Sequence, residues 1–547
     1  MDAALLAALY CAALALRLVP LTFSTLPFNI DGFPLARIAS DIMATGSWQI
    51  DEADPNAYNL KLPGYSLLWS GFAQLGGLHP LTDLQWAQVL VTSLVVVPGY
   101  LLGLRATRHR GVACTSAVFL AAFGSFLFLT SAVMKESMGL VLLPAMVLAF
   151  HDRADPRRRG IALLLLLVLL VLHHLTALIA LGTTGALVVL AQRRSWVRGT
   201  FRVRTLAADV ASVGLPAAAG WAYYDAVDMP FFRDLTGAAE LTLFLVIVVL
   251  VAFLLSRMDR PARVREGRPI VGPASHVLLV PTIALGALLA NGGASVFAGT
   301  LPTQPALVPV IAAFAVLAGF VFLGYQAVRR TTNRTNDLLV ASFTAPVALI
   351  LFAFLRGLDP LSHAIVYRAF DFLDYAIAVL AGIGVVLAWS RFRHAVPRAG
   401  IVAAFLAALL ATTPVAWDSQ AVFGVENVTT PAEFEALRVL ASLGAHNVTT
   451  DQRLADVAEW WLGVPGDPTL PVKLRDAEAI AGFEYALVLE RWTTVGAQVH
   501  PAPNIVLSAA ALDAFLGAHP RVFEAGSPGD RIVILRLSGN PGQSGQG

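Results

Sequence analysis

Charge is what this sequence has least of. Only 14% of its 547 residues are Asp, Glu, Lys or Arg, against about a quarter in water-soluble domains. With 57% hydrophobic residues, that scarcity excludes an ordinary soluble enzyme and a disordered chain. Cysteine is nearly missing. Cys11 and Cys114 both sit in apolar runs, which excludes a disulfide or zinc framework. The net charge of +2 excludes a nucleic-acid binder. Lysine is the rarest cation: Lys61, Lys135 and Lys473 are the only three, and every other positive side chain is Arg.

What the chain has instead is long apolar runs, near 3–26, 86–104, 112–132, 137–150, 160–173, 175–191, 206–223, 240–256, 270–290, 306–327, 338–355, 373–389 and 399–416. Lipid offers a backbone no hydrogen bonds, so such runs cross it as helices. The expectation is an all-α polytopic transmembrane domain of about thirteen helices. The first run has no cleavage site after it and reads as a retained anchor. Arg17, near its end, is expected to snorkel to the interface. Arg-rich loops alternate with loops poor in basic residues along the chain. The positive-inside rule therefore predicts the N-terminus inside and the C-terminus outside.

This topology divides the chain into a membrane domain over 1–416, with a large outer loop at 27–85, an outer domain over 417–538, and a disordered tail over 539–547. The outer domain reads as small α/β. Pro431 to Leu443 is predicted as a helix, with Thr430 and Glu433 forming a capping box. Asp451 to Leu462 is a second helix, with Trp460 and Trp461 packed in its core. Tyr485 to Glu490 and Arg531 to Leu537 are strands. Asn427 and Asn447 begin glycosylation sequons.

The acids gather at the outer ends of the spans rather than at mid-membrane depth, which suits an enzyme acting on a lipid-linked substrate at the interface better than a transporter. Asp31 follows the first span, and its two readings are a helix N-cap and a general base. Lys61 and Tyr65 lie in Lys61-Leu62-Pro63-Gly64-Tyr65, where the ammonium is either an interfacial anchor or a phosphate partner. Lys135 and Glu136 occupy a very short outer loop and either neutralise each other or meet substrate. His173 and His174 are adjacent on a helix, point apart, and make a poor chelate alone. They read as interfacial caps or as phosphate contacts. Arg368 and Asp371 are spaced to pair structurally, or Arg368 holds a phosphate. No outer Asp-x-Asp is present, so no metal site is assigned, although a divalent ion would be compatible with the chemistry.

These motifs, in order, resemble the type C superfamily of integral membrane glycosyltransferases, closest to its protein mannosyltransferase and aminoarabinose transferase branch. Asp31, then Ala36-Arg37-Ile38-Ala39 and Thr45-Gly46-Ser47-Trp48, is similar to that branch's Asp, amphipathic helix and ETGDW-like turn. Lys61 to Leu68 is similar to its KPPGYPLL segment. The chain departs from the branch at Gly32, where many members have Glu, and at Leu62, where they have Pro. Trp460-Trp461 is followed by Leu462, so the oligosaccharyltransferase Trp-Trp-Asp motif is missing. The resemblance implies a polyprenyl-phosphate sugar as donor, Asp31 as base, and Lys61 as donor-phosphate partner, with Arg368 in the same role.

The sequence reading is thus a multi-pass plasma-membrane glycosyltransferase with an outer active site. It moves sugar from a lipid-linked donor to a lipid, glycan or protein acceptor, with membrane lipid as its other partner. The rivals are a surface-glycan polymerase or ligase led by Arg368 and His174, a lipid or glycan transporter, and an inactive homologue that binds a partner.

Overall fold

The computed structural model of the chain describes residues 2–230, 238–257, 307–328, 336–357, 360–417, 428–499 and 505–537. Each apolar run folds as a helix, except 270–290, which lies outside the described residues, as do Asn427 and the 539–547 tail. Five of the described helices are long and apolar enough to cross a membrane, or six if one bent pair counts as a span. Several others are shorter apolar helices, such as Asp374–Ser390.

The bent pair is Arg110–Ala122 and Gly124–Ser131, which meet at 62°. A break inside a membrane domain frees carbonyls that lipid cannot satisfy. Arg17 takes them. Its side chain is fully buried and donates to the carbonyls of Leu120 (3.1 Å), Ala121 (3.3 Å) and Ala13 (3.1 Å), and to Thr130 Oγ1 (3.0 Å). The expectation that it snorkels is corrected: a planar five-donor fork suits a ring of carbonyls. The next exposed helix end is satisfied the same way. Ser137 Oγ donates to Leu129 and Ala132, Thr92 Oγ1 to Thr130, and Gln85 Nε2 to Ser131. Away from this end, buried Asp209 joins Arg153 (2.9 Å) and Arg159 (3.2 Å), so part of one Arg-rich loop is neutralised internally.

The C-terminal domain, outer by the sequence reading, carries a five-stranded sheet of order β2-β1-β3-β5-β4. Val448–Thr449 (β1) lies parallel to Gly466–Asp467 (β2) and to Tyr485–Leu489 (β3). Ile532–Arg536 (β5) pairs antiparallel with β3 and with Arg521–Ala525 (β4). The expected capping box is present at the start of Pro431–Ser442. The second expected helix covers Gln452–Val457 and then widens into a π turn, Ala458–Leu462. Trp460 and Trp461 sit on that turn partly buried, and Trp461 packs against the hydrophobic core.

Glu433 does more than cap. It is fully buried and ion-paired with Arg453, also fully buried, and with Arg491. Burial pushes its carboxyl up, but the two guanidiniums outweigh this and hold it below the ordinary Glu range. A group depressed in the folded state stabilises above its unfolded pKa and loses that contribution as pH falls through the folded value. Wild type is therefore expected to lose outer-domain stability in acid below that range. Glu433→Gln, which leaves two buried guanidiniums unmatched, should lower stability at neutral pH by about 3–5 kcal/mol. The gap between the two proteins should narrow on acidification, read by thermal unfolding against pH.

Candidate active site at the ends of the helices

The site is assembled where the first outer loop meets the 132–134 turn. Phe28 accepts from Val133 N (2.8 Å), and Gln85 bridges the two segments from Phe28 N (2.9 Å) to the Ser131 carbonyl (2.8 Å). Asn29 adopts a left-handed backbone (φ 90°), and its Oδ1 accepts from Asp31 N at 2.9 Å. Asp31 does hold the N-cap position of Gly32–Thr45, but its side chain makes no capping hydrogen bond. The carboxylate is half-buried and left available. A Cβ on Gly32 would meet Pro27 Cβ at 2.4 Å and Val133 Cβ at 3.0 Å. That explains the departure from Asp-Glu: here the position is closed to a side chain.

Met134 is extended, and Lys135–His151 starts directly after it without a side-chain cap. His174–Val197 likewise starts after the extended His173 without one. Uncapped N-termini leave amide N–H groups and the positive end of the helix dipole open. The two starts are brought together by Tyr58 and Asn59 of the short helix Ala57–Leu60. Lys135 Nζ donates to Asn59 Oδ1 (2.8 Å) and lies 4.4 Å from the centre of the Tyr58 ring. Tyr58 Oη is 3.4 Å from His174 Nδ1. Burial above all pushes the Tyr58 hydroxyl up to about 12, with Arg368 opposing and Asp31 and Glu136 adding to the rise. The phenol thus stays neutral. Sequence reasoning missed Tyr58, three residues before Lys61, and gave no role to Asn59, which opens the Asn59 to Tyr65 motif.

The remaining candidates sort themselves. Glu136 is buried and pairs with Arg368 at 3.7 Å, so Lys135 and Glu136 do not neutralise each other, and Arg368 reaches across to another helix. His173 is buried, its Nδ1 2.8 Å from Thr176 Oγ1. Asp371 lies within electrostatic reach of Glu136 and lines a separate cavity. Lys61 is not drawn into this network. Its ammonium is held by Glu52 (3.0 Å) and the Asp228 carbonyl (3.0 Å). Tyr65 is buried and donates to Gln88 Oε1 (2.8 Å), while Gln88 Nε2 holds the Ala132 carbonyl (3.2 Å). It supports the 132–134 turn from below. Among the described residues no group of three or more His, Cys, Asp or Glu could hold a metal ion.

The outer domain sits on this cluster. Arg37 Nη1 donates to the Trp461 carbonyl (2.8 Å), Asn56 Nδ2 to the Trp460 carbonyl (3.1 Å), and Phe33 stacks on Phe434 with centroids 6.0 Å apart.

Gly139 fixes the helix Lys135–His151 against His174–Val197. A Cβ there would meet Thr176 Oγ1 at 2.6 Å. Gly139→Ala is expected to cost about 1–3 kcal/mol by overpacking, and adding Thr176→Ala should restore much of it. Thermal midpoints of the single and double variants check this.

This chain builds a multi-helix domain with polar residues gathered at one set of helix ends and a small α/β domain packed there, a fold that it shares with a solved structure. Among solved structures it is similar to the oligosaccharyltransferase AglB from the archaeon Archaeoglobus fulgidus, in complex with an inhibitory peptide and a dolichol-phosphate. The TM-score is 0.52 at 13% identity, over 89% of this chain and 69% of that one. ArnT from Cupriavidus metallidurans, bound to undecaprenyl phosphate, aligns over 97% of this chain and 98% of its own at 14% identity with a TM-score of 0.38. No family model matches the sequence, and no curated protein does either.

Proposed function

We propose that this protein transfers a sugar from a polyprenyl-phosphate donor to an acceptor at the outer face of the plasma membrane. The 1–416 unit is the catalytic part and 417–538 its outer cover. One observation carries the reading: two helix N-termini without side-chain caps, bearing Lys135 and His174, converge on Tyr58 and Asn59, and Asp31 and Arg368 lie within electrostatic reach of Tyr58 and Lys135. Convergent amide dipoles and cations bind a phosphate. The dolichol-phosphate named with the archaeal oligosaccharyltransferase is a ligand of that class.

In the reaction, an acceptor nucleophile attacks the anomeric carbon and passes its proton to Asp31. The bond from that carbon to the phosphate oxygen breaks, and polyprenyl phosphate leaves with the electron pair. Lys135, Arg368 and the helix N-termini stabilise the charge that develops on it. Lys61, already paired, maintains the loop instead.

The test is transfer from a synthetic polyprenyl-phosphate sugar by the full chain in lipid nanodiscs. Lys135→Ala should raise the donor KM tenfold or more, about 1.4 kcal/mol or above. Lys61→Ala should lower the thermal midpoint and leave KM within about threefold, well short of that. The reverse pattern would return the phosphate role to Lys61. Failure to bind any lipid-phosphate sugar would remove the donor class.

His174 and Arg368 lie within electrostatic reach of each other, which favours a second reading, a surface-glycan polymerase or ligase. There His174→Gln would abolish turnover and Asp31→Asn would spare it.

A further inference from the structure

The helix Leu307–Val328 borders two cavities that share one wall. The upper, about 560 Å³, is lined by Ser125, Val310, Phe370, Asp371 and Asp374. The lower, about 510 Å³, is lined by Phe119, Phe322, Tyr325 and Phe343. Phe123, Phe314 and Ile377 line both, and the Phe123 and Phe314 rings meet edge to face at 5.3 Å. From Val310 to Tyr325 the groove follows one helix for about 22 Å at 1.5 Å per residue. That exceeds half the ~30 Å hydrocarbon thickness of a bilayer. Its walls are apolar and aromatic over nearly their whole length.

Only one end is polar, and it is acidic. Asp371 is 8% exposed and Asp374 5%. Asp371 Oδ2 has no hydrogen-bond partner among the described residues. Arg368, an electrostatic neighbour of Asp371, pairs with Glu136. A buried carboxyl oxygen without a donor is costly, and the phosphodiester of a lipid-linked sugar has no donor to give it. The phosphate of the proposed donor therefore does not belong there. A hydroxyl would satisfy one lone pair, whereas an ammonium supplies both donors and charge.

We propose that this groove is a binding site for a long-chain lipid with an amine head group, its ammonium between Asp371 and Asp374 and its chain along Leu307–Val328. This site borders the phosphate cluster, since Asp371 and Arg368 share the helix Pro360–Asp371, but it does not rest on the transferase reading.

The test uses the full chain in nanodiscs and a hexadecylamine carrying a diazirine on its chain, with labelled peptides mapped by mass spectrometry. Labelling is expected within 310–325, displaced by hexadecylamine at concentrations at least tenfold below those needed of hexadecyl phosphate or hexadecanol. Asp371→Asn with Asp374→Asn should remove that preference, and the charge-preserving Asp374→Glu should keep it. Phe314→Trp, at the waist, should reduce labelling by every chain. Labelling elsewhere, or displacement by the phosphate or the alcohol as readily as by the amine, would overturn the proposal. So would a preference that survives both Asn substitutions. None of these readouts needs turnover, so failure here leaves the sugar-transfer reading standing, and the converse holds.

Discussion

Asp31→Asn is expected to lower sugar transfer by about a thousandfold, within the 10²–10⁴ that a positioned general base supplies. Donor binding should hardly change. Asparagine keeps the side-chain size, and the backbone N–H of residue 31 remains on Asn29. The helix start is not at risk, because the carboxylate makes no cap there. What disappears is the acceptor for the nucleophile's proton. The measurement is kcat at saturating acceptor together with donor affinity in the same nanodisc sample. A loss in both would mean that Asp31 positions the loop; full turnover in a folded sample would end its assignment as base.

Arg17→Leu is the second large effect, and it acts through structure. The substitution removes four hydrogen bonds and leaves the Leu120 and Ala121 carbonyls buried without a donor. At about 1–3 kcal/mol for each orphaned carbonyl, the cost is roughly 2–6 kcal/mol. The thermal midpoint should drop sharply, and Arg17→Lys should recover only part of it, since one ammonium lacks the width to reach the set. The break at Phe123 also sets where the helix Gly124–Ser131 ends and hence where Lys135 begins. Donor KM should therefore rise in Arg17→Lys even where the protein stays folded. An unchanged midpoint in Arg17→Leu would show that the bend holds without its donor.

The parts of this molecule that were legible in the sequence are those written in local pattern. Apolar length gave the helices, and Thr430 with Glu433 gave a cap that is present atom for atom. Asp31, Lys135, Glu136, His174 and Arg368 stood out as polar residues at helix ends, and the fold brings them into one electrostatic neighbourhood. Direction was not legible. The motif around Lys61 does not tell that its ammonium meets Glu52 and the Asp228 carbonyl. Tyr65 has the same motif credentials and turns instead to Gln88. Both outcomes depend on where other segments of the chain come to lie, as does the fate of Arg17, three of whose four acceptors lie more than 100 residues away. Gln85 and Gln88 carry no motif at all; their role exists only once a helix end needs donors.

The contact between the outer domain and the membrane domain has a consequence for how this protein can change. The π turn Ala458–Leu462 ends in Gly463, left-handed at φ 68°, and its final carbonyls have no partner within the turn. Arg37 and Asn56 grip two of those oxygens, at Trp461 and Trp460. Every amino acid has such an oxygen. The side chains at 460 and 461 can therefore be exchanged by mutation while the grip persists, provided the turn and its glycine remain. Homologues could drift in what they present above Asp31 without unseating the cover, much as a tool head is swapped on a fixed shank.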